Sequence, residues 1–447
     1  MPRDDAFCIQ LPAVSKMNDR FNQKRSAPTP QVFYIIGITP VRKLVIGLNM
    51  VRFFIIFFAI SVLLAGYMTW RLFGRAPFRR RWKIALAAGI VAAMFAPVLT
   101  IVLRRSGFDI PGLHLLTWAG YLGVGFLSFV FSYLVIRDLV WLPFAGFNWF
   151  KARVSKPARN QDKVEPINSP SRRGFLVNSM NYGILAAAAL TTGFGVAEAK
   201  QTPQVKRVAV PIDKLPPDLE GFKIVQITDI HVNPTFRRSS VEDIVAVVNT
   251  LEADIVALTG DLVDGSVDQL GYDVAPLAQI QSVSGNFFVT GNHEYYSGVI
   301  EWIEEVRRLG YIVLLNEHQV IARGQARLVL AGVTDYRGGN FLSTHRSDPR
   351  KALNDAPAAD VKILLAHQPK NIFAAARAGY DLQISGHTHG GQFFPWNLLV
   401  GFAQPYVYGL HTHETTQIYV SRGTGYWGPP VRVGSPSEIT LLKLTRR

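Results

Sequence analysis

A single cysteine, Cys8, stands in a chain of 447 residues. An intrachain disulfide and a cysteine-based zinc site are therefore both excluded. Acidic residues are also in short supply, with 32 Asp and Glu against 47 Lys and Arg, for a net charge of +15. Much of that excess is placed beside apolar segments: Arg71, Arg75, Arg79, Arg80, Arg81 and Lys83, then Lys151, Arg153, Lys156, Arg172 and Arg173. Basic clusters at the ends of apolar runs are what membrane topology demands, so the charge is read as topological and no nucleic-acid partner is expected. Internal repeats and low-complexity tracts are absent.

Three apolar stretches, Phe53–Trp70, Ile84–Leu103 and Leu113–Ile136, are long enough to cross a hydrocarbon core of about 30 Å as helices. Their interiors lack Asp, Glu, Lys and Arg, which argues against an ion path or a transport site and for a membrane anchor. His114 falls near a helix end, as an interfacial histidine. A fourth segment, Phe175–Val196, follows Ser171-Arg172-Arg173-Gly174-Phe175-Leu176 and ends at Ala197-Glu198-Ala199. Two readings stand: a twin-arginine-like export signal with a small-x-small cleavage site, or a fourth transmembrane helix with a basic flank. Both place Arg172 and Arg173 in the cytoplasm and everything after Lys200 outside.

The expected plan is a basic tail over 1–52, three transmembrane helices within 53–136, a basic cytoplasmic linker over 137–170, the fourth helix or signal over 171–199, and one domain over 200–447. The protein is thus expected in the cell (inner) membrane, multi-pass, with the large domain extracytoplasmic. Its expected partners include the lipid bilayer and, on the signal reading, the twin-arginine export machinery. Four crossings put the N-terminus outside, although Arg20, Lys24, Arg25, Arg42 and Lys43 make the tail basic. An alternative start at Met50 would remove that conflict.

Beyond Val205 short β-branched runs alternate with helical stretches. Lys223–Thr228, Asp254–Leu258, Asn286–Val289, Arg327–Leu330, Lys362–Leu365 and Leu382–Ile384 read as strands, and Ser240–Leu251, Gly298–Leu309 and Asn371–Ala378 as helices. Uniformly apolar strands imply an α/β architecture with its sheet covered on both faces.

Five polar clusters follow predicted strands: Asp229-Ile230-His231, Gly260-Asp261-Leu262-Val263-Asp264-Gly265, Gly291-Asn292-His293-Glu294, His367, and Gly386-His387-Thr388-His389-Gly390-Gly391. Loops at the carboxyl ends of strands gather on one edge of an open α/β sheet, so the five should converge. Asp, Asn and His offer oxygen and imidazole ligands suited to Mn, Fe, Zn or Ni, in number enough for two divalent cations. Glycine before Asp261, Asn292 and His387 permits sharp turns. The pair His411 and His413 has no such turn and reads as surface, and His318 and His345 read as ordinary polar residues.

In this order, Asp-x-His, Gly-Asp-x-x-Asp-Gly, Gly-Asn-His-Glu, a lone His and Gly-His-Thr-His resemble the calcineurin-like metallophosphoesterases. The resemblance covers about Val205 to Arg447. Within that family the chain is most similar to transmembrane proteins with a metallophosphoesterase domain and to exported bacterial relatives, through GNHEYYSG, AHQP, GHTHGGQ and the closing YVSRGTGYWGPPVRVGSPSEIT. The resemblance implies a four-layer α/β/β/α sandwich preceded by the transmembrane helices. It implies one cation on Asp229, His231, Asp261 and His389, and a second on Asp261, Asn292, His367 and His387. His293 would be a non-ligand acid beside the scissile bond, oriented by Asp264. The implied activity is hydrolysis of a phosphomonoester, phosphodiester or pyrophosphate bond, and tethering to the membrane favours a lipid-linked or cell-envelope substrate. A departure accompanies this: Gly265 and Ser266 follow Asp264 where protein phosphatases of the superfamily carry Arg-Gly. That phosphate-gripping arginine is missing, with Arg237, Arg422 and Arg432 as substitutes or as plain structural arginines. The competing reading is a non-catalytic, metal-stabilised binding or sensory module at the membrane.

Overall fold

The computed structural model describes residues 40–154 and 170–447, apart from residues 75, 77, 107, 109 and 110. Most of the tail expected over 1–52, and much of the expected linker, lie outside the described residues. The chain divides into two compact units, residues 1–57 and 58–447; the contacts below are within the second.

Four helices among the described residues are long and apolar enough to cross a membrane. They are α1 (Pro40–Phe73), α2 (Arg80–Arg105), α3 (Leu113–Val154) and α4 (Pro170–Ala199). Two boundaries differ from the sequence reading. α1 begins at Pro40, through Arg42 and Lys43, and α3 continues past Ile136 into the expected linker. The second difference has a visible cause. Asp138, whose charge would otherwise break the apolar run, is paired with Arg71 and accepts from Tyr67 Oη at 2.7 Å and Arg137 Nε at 3.1 Å. Arg137 in turn donates to Asn181 Oδ1 at 2.8 Å, and Asn181 donates to the Leu72 carbonyl at 2.8 Å. Charged side chains inside a helical bundle survive when they pair in this way, and here they tie α1, α3 and α4 together.

After α4 the chain forms two six-stranded sheets. β1 (Gln204–Ile212), β2 (Lys223–Ile227), β3 (Ile255–Leu258), β4 (Asn286–Phe288) and β5 (Ile312–Val313) belong to the first. β6 (Glu317–Arg323), β7 (Ala326–Gly332), β8 (Val361–Leu365), β9 (Leu382–Ser385), β10 (Gly409–His413) and β11 (Thr416–Val420) make the second, in the order β10-β11-β9-β8-β7-β6. The last strand, β12 (Glu438–Arg446), returns to the first sheet and lies between β1 and β2, parallel to the former and antiparallel to the latter. β2 to β5 run parallel, as do β7, β8, β9 and β11.

Strand alternation assigns the layers. In β2 and β3, Ile224, Ile255 and Ala257 face the core between the sheets, with Leu330, Ile363, Leu365 and Ile384 opposite. Their neighbours Val225, Ile227, Val256 and Leu258 face the outer core under the helices. Side chains two residues apart share a face, so a fully apolar strand feeds two cores at once. The outer helices are α5 (Arg238–Asn249), α6 (Val267–Val274), α7 (Asn292–Ser297) and α8 (Val299–Arg308). α5 buries Val241, Ile244, Val245 and Val248, and α8 buries Val299, Trp302, Ile303 and Val306; both follow the i, i+3, i+4, i+7 stripe of a helix packed by one face. On the far side, α9 (Ile372–Ala378) places Ala375 among Ala331, Val333, Leu364 and Ala366. The result is a four-layer α/β/β/α sandwich. A final helix, α10 (Trp396–Ala403), packs in neither core and buries none of its residues.

Candidate metal centre

The parallel strands point their carboxyl ends to one edge, and all five polar clusters emerge there. Asp229 and His231 follow β2, Asp261 and Asp264 follow β3, Asn292 and His293 open α7 after β4, His367 follows β8, and His387 and His389 follow β9. The loops keep pairing beyond the strands: Asp229 N donates to Gly260 O at 3.0 Å, His231 N to Asp261 O at 3.1 Å and Asp264 N to Val232 O at 3.0 Å.

Backbone conformation shows how tightly the site is specified. Asp229, His231, Asp261, His387 and His389 all have φ between 51° and 73°. Non-glycine residues sit in this region only where their surroundings over-determine them. The three preceding glycines act differently from the turn role expected of them. Gly260 does turn with φ of 86°, but Gly291 has φ of −96°. There a Cβ would lie 2.2 Å from Asp261 Oδ1, and at Gly386 one would lie 2.1 Å from Asp229 Oδ2. These two glycines make room for the carboxylates.

The side chains converge as the motif order predicts. Asp229, His231 and His389 form one group and Asp261, His367 and His387 another, each offering atoms within 4.8 Å of one another. His231 Nε2 faces His389 Nε2 at 3.1 Å, and His389 Nε2 is 3.4 Å from Asp229 Oδ1. His367 Nε2 faces His387 Nδ1 at 3.1 Å and Asp261 Oδ2 at 3.1 Å, while the same Asp261 oxygen is 3.8 Å from His231 Nε2. Asp261 thus stands between the two groups. His293 also comes within reach of His231 and Asp261, and its Nδ1 is 2.7 Å from Asp264 Oδ1. Asp264 serves two histidines rather than one, because His231 Nδ1 lies 2.9 Å from the same oxygen. A carboxylate on Nδ1, or the Thr259 carbonyl that receives His367 Nδ1 at 2.9 Å, fixes the tautomer and aims the Nε2 lone pair of His231 and of His367 into the centre.

Charge states follow from the same neighbours. Burial alone would lower His293, but Asp261 and Asp264 outweigh it and hold the imidazole up at about 9. Burial opposes the charge of Asp261 too, yet His367 and His293 keep it well below the usual carboxylate range. Burial, reinforced by His367, pushes His387 down to about 3, and burial with His231 and Arg432 depresses His389 strongly. His387 and His389 as neutral imidazoles and Asp261 as a carboxylate are in the states that bind cations. His367, which against its burial Asp261 and Asp229 raise well above the usual histidine range, and Asp229, which burial raises, give up protons to a cation more reluctantly.

One atom tests whether a metal belongs here. Asn292 is 8% exposed and its Oδ1 is buried without a hydrogen-bond partner. A buried carbonyl left without a partner costs about 1–3 kcal/mol. Beside six Asp and His ligand candidates, a divalent cation is the partner that fits it, and the donor set of oxygen and imidazole nitrogen suits such a cation.

Several residues of the site escaped the sequence reading. Glu294, buried in the quoted Gly-Asn-His-Glu string, accepts from the backbone N–H of Gly291 at 2.6 Å, Asp261 at 3.1 Å and Leu262 at 2.7 Å, pinning the second and third loops to each other. Burial and Asp261 raise its carboxyl to about 7 against those donors. Trp302 Nε1 donates to Gly265 O at 2.9 Å and secures the loop of Asp264. Arg432, weighed above as a phosphate grip, is fully buried and holds its own chain instead. It donates to the carbonyls of Gly425 and Ser435, and its Nη2 is 3.2 Å from His389 Nδ1. Arg237 pairs with Asp273 at 3.3 Å and Arg422 lies over the Tyr408 ring at 4.4 Å. His411 and His413 sit on edge strand β10, away from the cluster. Tyr296 and Trp427 flank His293, with ring centroids 5.2 and 6.2 Å away.

Residues 222–391 match the family model described as calcineurin-like phosphoesterase. A transmembrane protein with metallophosphoesterase domain from Danio rerio is 39% identical over 295 residues, covering 64% of this chain and 66% of the relative, just under two thirds of its length. An uncharacterized metallophosphoesterase from Helicobacter pylori is 38% identical over 323 residues, covering 72% of this chain and 80% of the relative. Among solved structures, a 5'-nucleotidase precursor from Thermus thermophilus is similar with a TM-score of 0.33 and 16% identity, over 50% of this chain and 54% of that one. Family match, relatives and the five-loop site agree, and the chain belongs to the calcineurin-like phosphoesterases, a divalent-metal-dependent family.

Proposed function

We propose that the chain is a membrane-anchored, two-metal phosphoesterase that hydrolyses a phosphomonoester, phosphodiester or pyrophosphate bond of an envelope molecule. The observation that carries this reading is the convergence of two Asp/His groups around Asp261, with His293 beside them at 2.7 Å from Asp264. Asp229, His231, Asp261 and His389 would hold one cation; Asp261, Asn292, His367 and His387 would hold the other. Such a pair supplies charge to the phosphoryl oxygens and lowers the pKa of an attacking water. The chain's own residues supply the rest. Asp264 accepts from His293 Nδ1, stabilises the imidazolium and turns the opposite ring edge outward. His293 then donates a proton to the leaving oxygen, which is general acid catalysis. The loops hold the phosphoryl group in line, and positioning is most of what phosphoryl transfer asks of a protein.

The four apolar helices support the anchor, with the catalytic unit on the extracytoplasmic side of the cell membrane and the 137–170 segment cytoplasmic. α4 supports retention rather than release. Its Ala-x-Ala end is helical, Ala199 is buried in the core under the first sheet, and Thr191 meets Tyr133 of α3 at 2.7 Å. On this reading the paired arginines flank an uncleaved helix.

Turnover tests the proposal. The full chain in detergent is stripped of metal, resupplied with Mn²⁺, and assayed on p-nitrophenyl phosphate and bis-p-nitrophenyl phosphate beside Asp261→Ala. Metal-dependent hydrolysis of either ester, absent in the variant, is expected. Two bound metals with no hydrolysis of either would move the chain to the binding-module reading.

A further inference from the structure

The catalytic edge of the sandwich faces the apolar helices. β1 starts at Gln204, five residues beyond the end of α4, and its N–H binds the Ser437 carbonyl just before β12. β12 is antiparallel to β2, so its start, the start of β1 and the Asp229 end of β2 share one edge. Contacts along that edge run onto the helices. Lys200 donates to the Thr235 carbonyl and lies 4.8 Å from the Trp118 ring of α3. Arg432 N donates to Gly195 O at 2.9 Å, and a Cβ on Gly195 would meet Val431 at 2.5 Å. Phe393, two residues past the Gly390-Gly391 turn, sets its ring 5.6 Å from Phe129 in α3. Gly195 is one and a half turns below Lys200, about 8 Å at a helical rise of about 1.5 Å per residue. Measured along the helices from Lys200 and its partner Trp118, Val431 therefore packs about 8 Å in, and Phe393, whose partner Phe129 lies eleven residues past Trp118, about 16 Å in.

α10 begins three residues after Phe393. Its sequence, WNLLVGFA, has no charged residue and none of it is buried. Trp396, Leu398, Leu399 and Phe402 are 52, 61, 47 and 90% exposed. A charge-free helix with no core to cover it, held beside membrane-length helices, presents apolar side chains that a leaflet can cover. Near the start of β1, Lys206 and Arg207 line a cleft of about 440 Å³ together with Arg422 and Tyr408; exposed cations near a membrane surface attract anionic headgroups.

We propose that α10 is an interfacial helix inserted into the leaflet around α3 and α4, and that the centre beside it takes the phosphate ester of an amphiphile whose tails stay in that leaflet. The insertion stands on α10 and its contacts alone; the substrate class rests on the hydrolase reading above. His387 and His389 reach the centre from the turn that leads directly into Phe393 and α10, so the helix that enters the leaflet also fixes the height of the site above it.

The test uses the full chain, with Cys8→Ser, in nanodiscs of phosphatidylcholine and phosphatidylglycerol. Spin labels are placed at Phe402→Cys and at Val283→Cys, the latter 80% exposed just before β4, at the opposite end of that strand from the centre. Collision with oxygen exceeding collision with a water-soluble nickel chelate at 402, and the reverse at 283, is expected. Equal nickel access at both sites overturns the insertion. In a second arm, Leu398→Asp with Phe402→Asp is compared with the parent on phosphatidate in nanodiscs and on p-nitrophenyl phosphate. A loss of tenfold or more on phosphatidate, with the soluble ester unchanged, is expected. Parallel losses, or a parent that cleaves only the soluble ester, overturn the substrate class. A parent that cleaves neither of these, nor bis-p-nitrophenyl phosphate, overturns the hydrolase reading together with the substrate class, while the labels still decide the insertion.

Discussion

His293 stands 2.7 Å from Asp264 and between the rings of Tyr296 and Trp427. Its folded pKa of about 9 is above the ordinary 6.5, so the protonated form is favoured by folding. In metal-free protein that contribution is complete below about pH 6.5 and is lost as pH rises through about 9. A proton donor matters most when the leaving group is poor. His293→Ala should cost about 10²–10⁴-fold in kcat on alkyl phosphates and far less on p-nitrophenyl phosphate, whose phenolate leaves without a proton. Asp264→Asn should cost about 10–100-fold and, because Asp264 also serves His231, should weaken metal binding as well. Kinetics on both esters with metal titration reads both effects; an equal loss on the two esters would remove His293 from the acid role.

At the scale of elements, the connection between α4 and the centre is short. Val431 touches Gly195, Arg432 donates to the Gly195 carbonyl, and the Arg432 guanidinium reaches His389. Gly195→Leu should push this segment away and lower metal affinity about 10–100-fold. Gly193→Leu, with open space around it, should leave affinity unchanged; calorimetric titration of both variants separates the outcomes. The same segment shows what a sequence conceals. α5, α8 and the apolar parallel strands were legible because each carries its own period of 3.6 or its own β-branched run. The loops of the candidate metal centre were legible because Asp, Asn and His residues follow strands in a fixed order. β1 and β12 were not read as strands, because their pairing joins distant parts of the chain and no local pattern announces it. α10 has no polar face to give a period. The extension of α3 through Asp138 depends on Arg71, 67 residues away. Gly291 and Gly386 were assigned to the right places for an incomplete reason, since room for a neighbouring carboxylate cannot be seen without the neighbour.

For the molecule as a whole, the centre gathers buried Asp229, Asp261, His231, His367 and His389 with half-buried His387. Without cations the folded chain carries facing imidazole nitrogens at 3.1 Å and an unpartnered Asn292 oxygen. Metal binding should therefore stabilise the fold, by about 2.7 kcal/mol for each site at a free concentration 100 times Kd. For a unit as large as residues 58–447 that is a rise of at most roughly 5–11 °C in Tm per site. Calorimetry with chelator and with Mn²⁺ or Zn²⁺ should show the rise in the parent and its loss in Asp261→Ala; an unchanged Tm would mean that the centre holds no cation tightly.

The position of β12 between β1 and β2 sets a timetable for biosynthesis. The first sheet is split until Glu438–Arg446 has left the ribosome, because β1 has no other strand partner. Helices α1 to α4 are made long before that moment. A chain that stops short of Glu438 therefore leaves β1 without a strand partner and the first sheet in two parts.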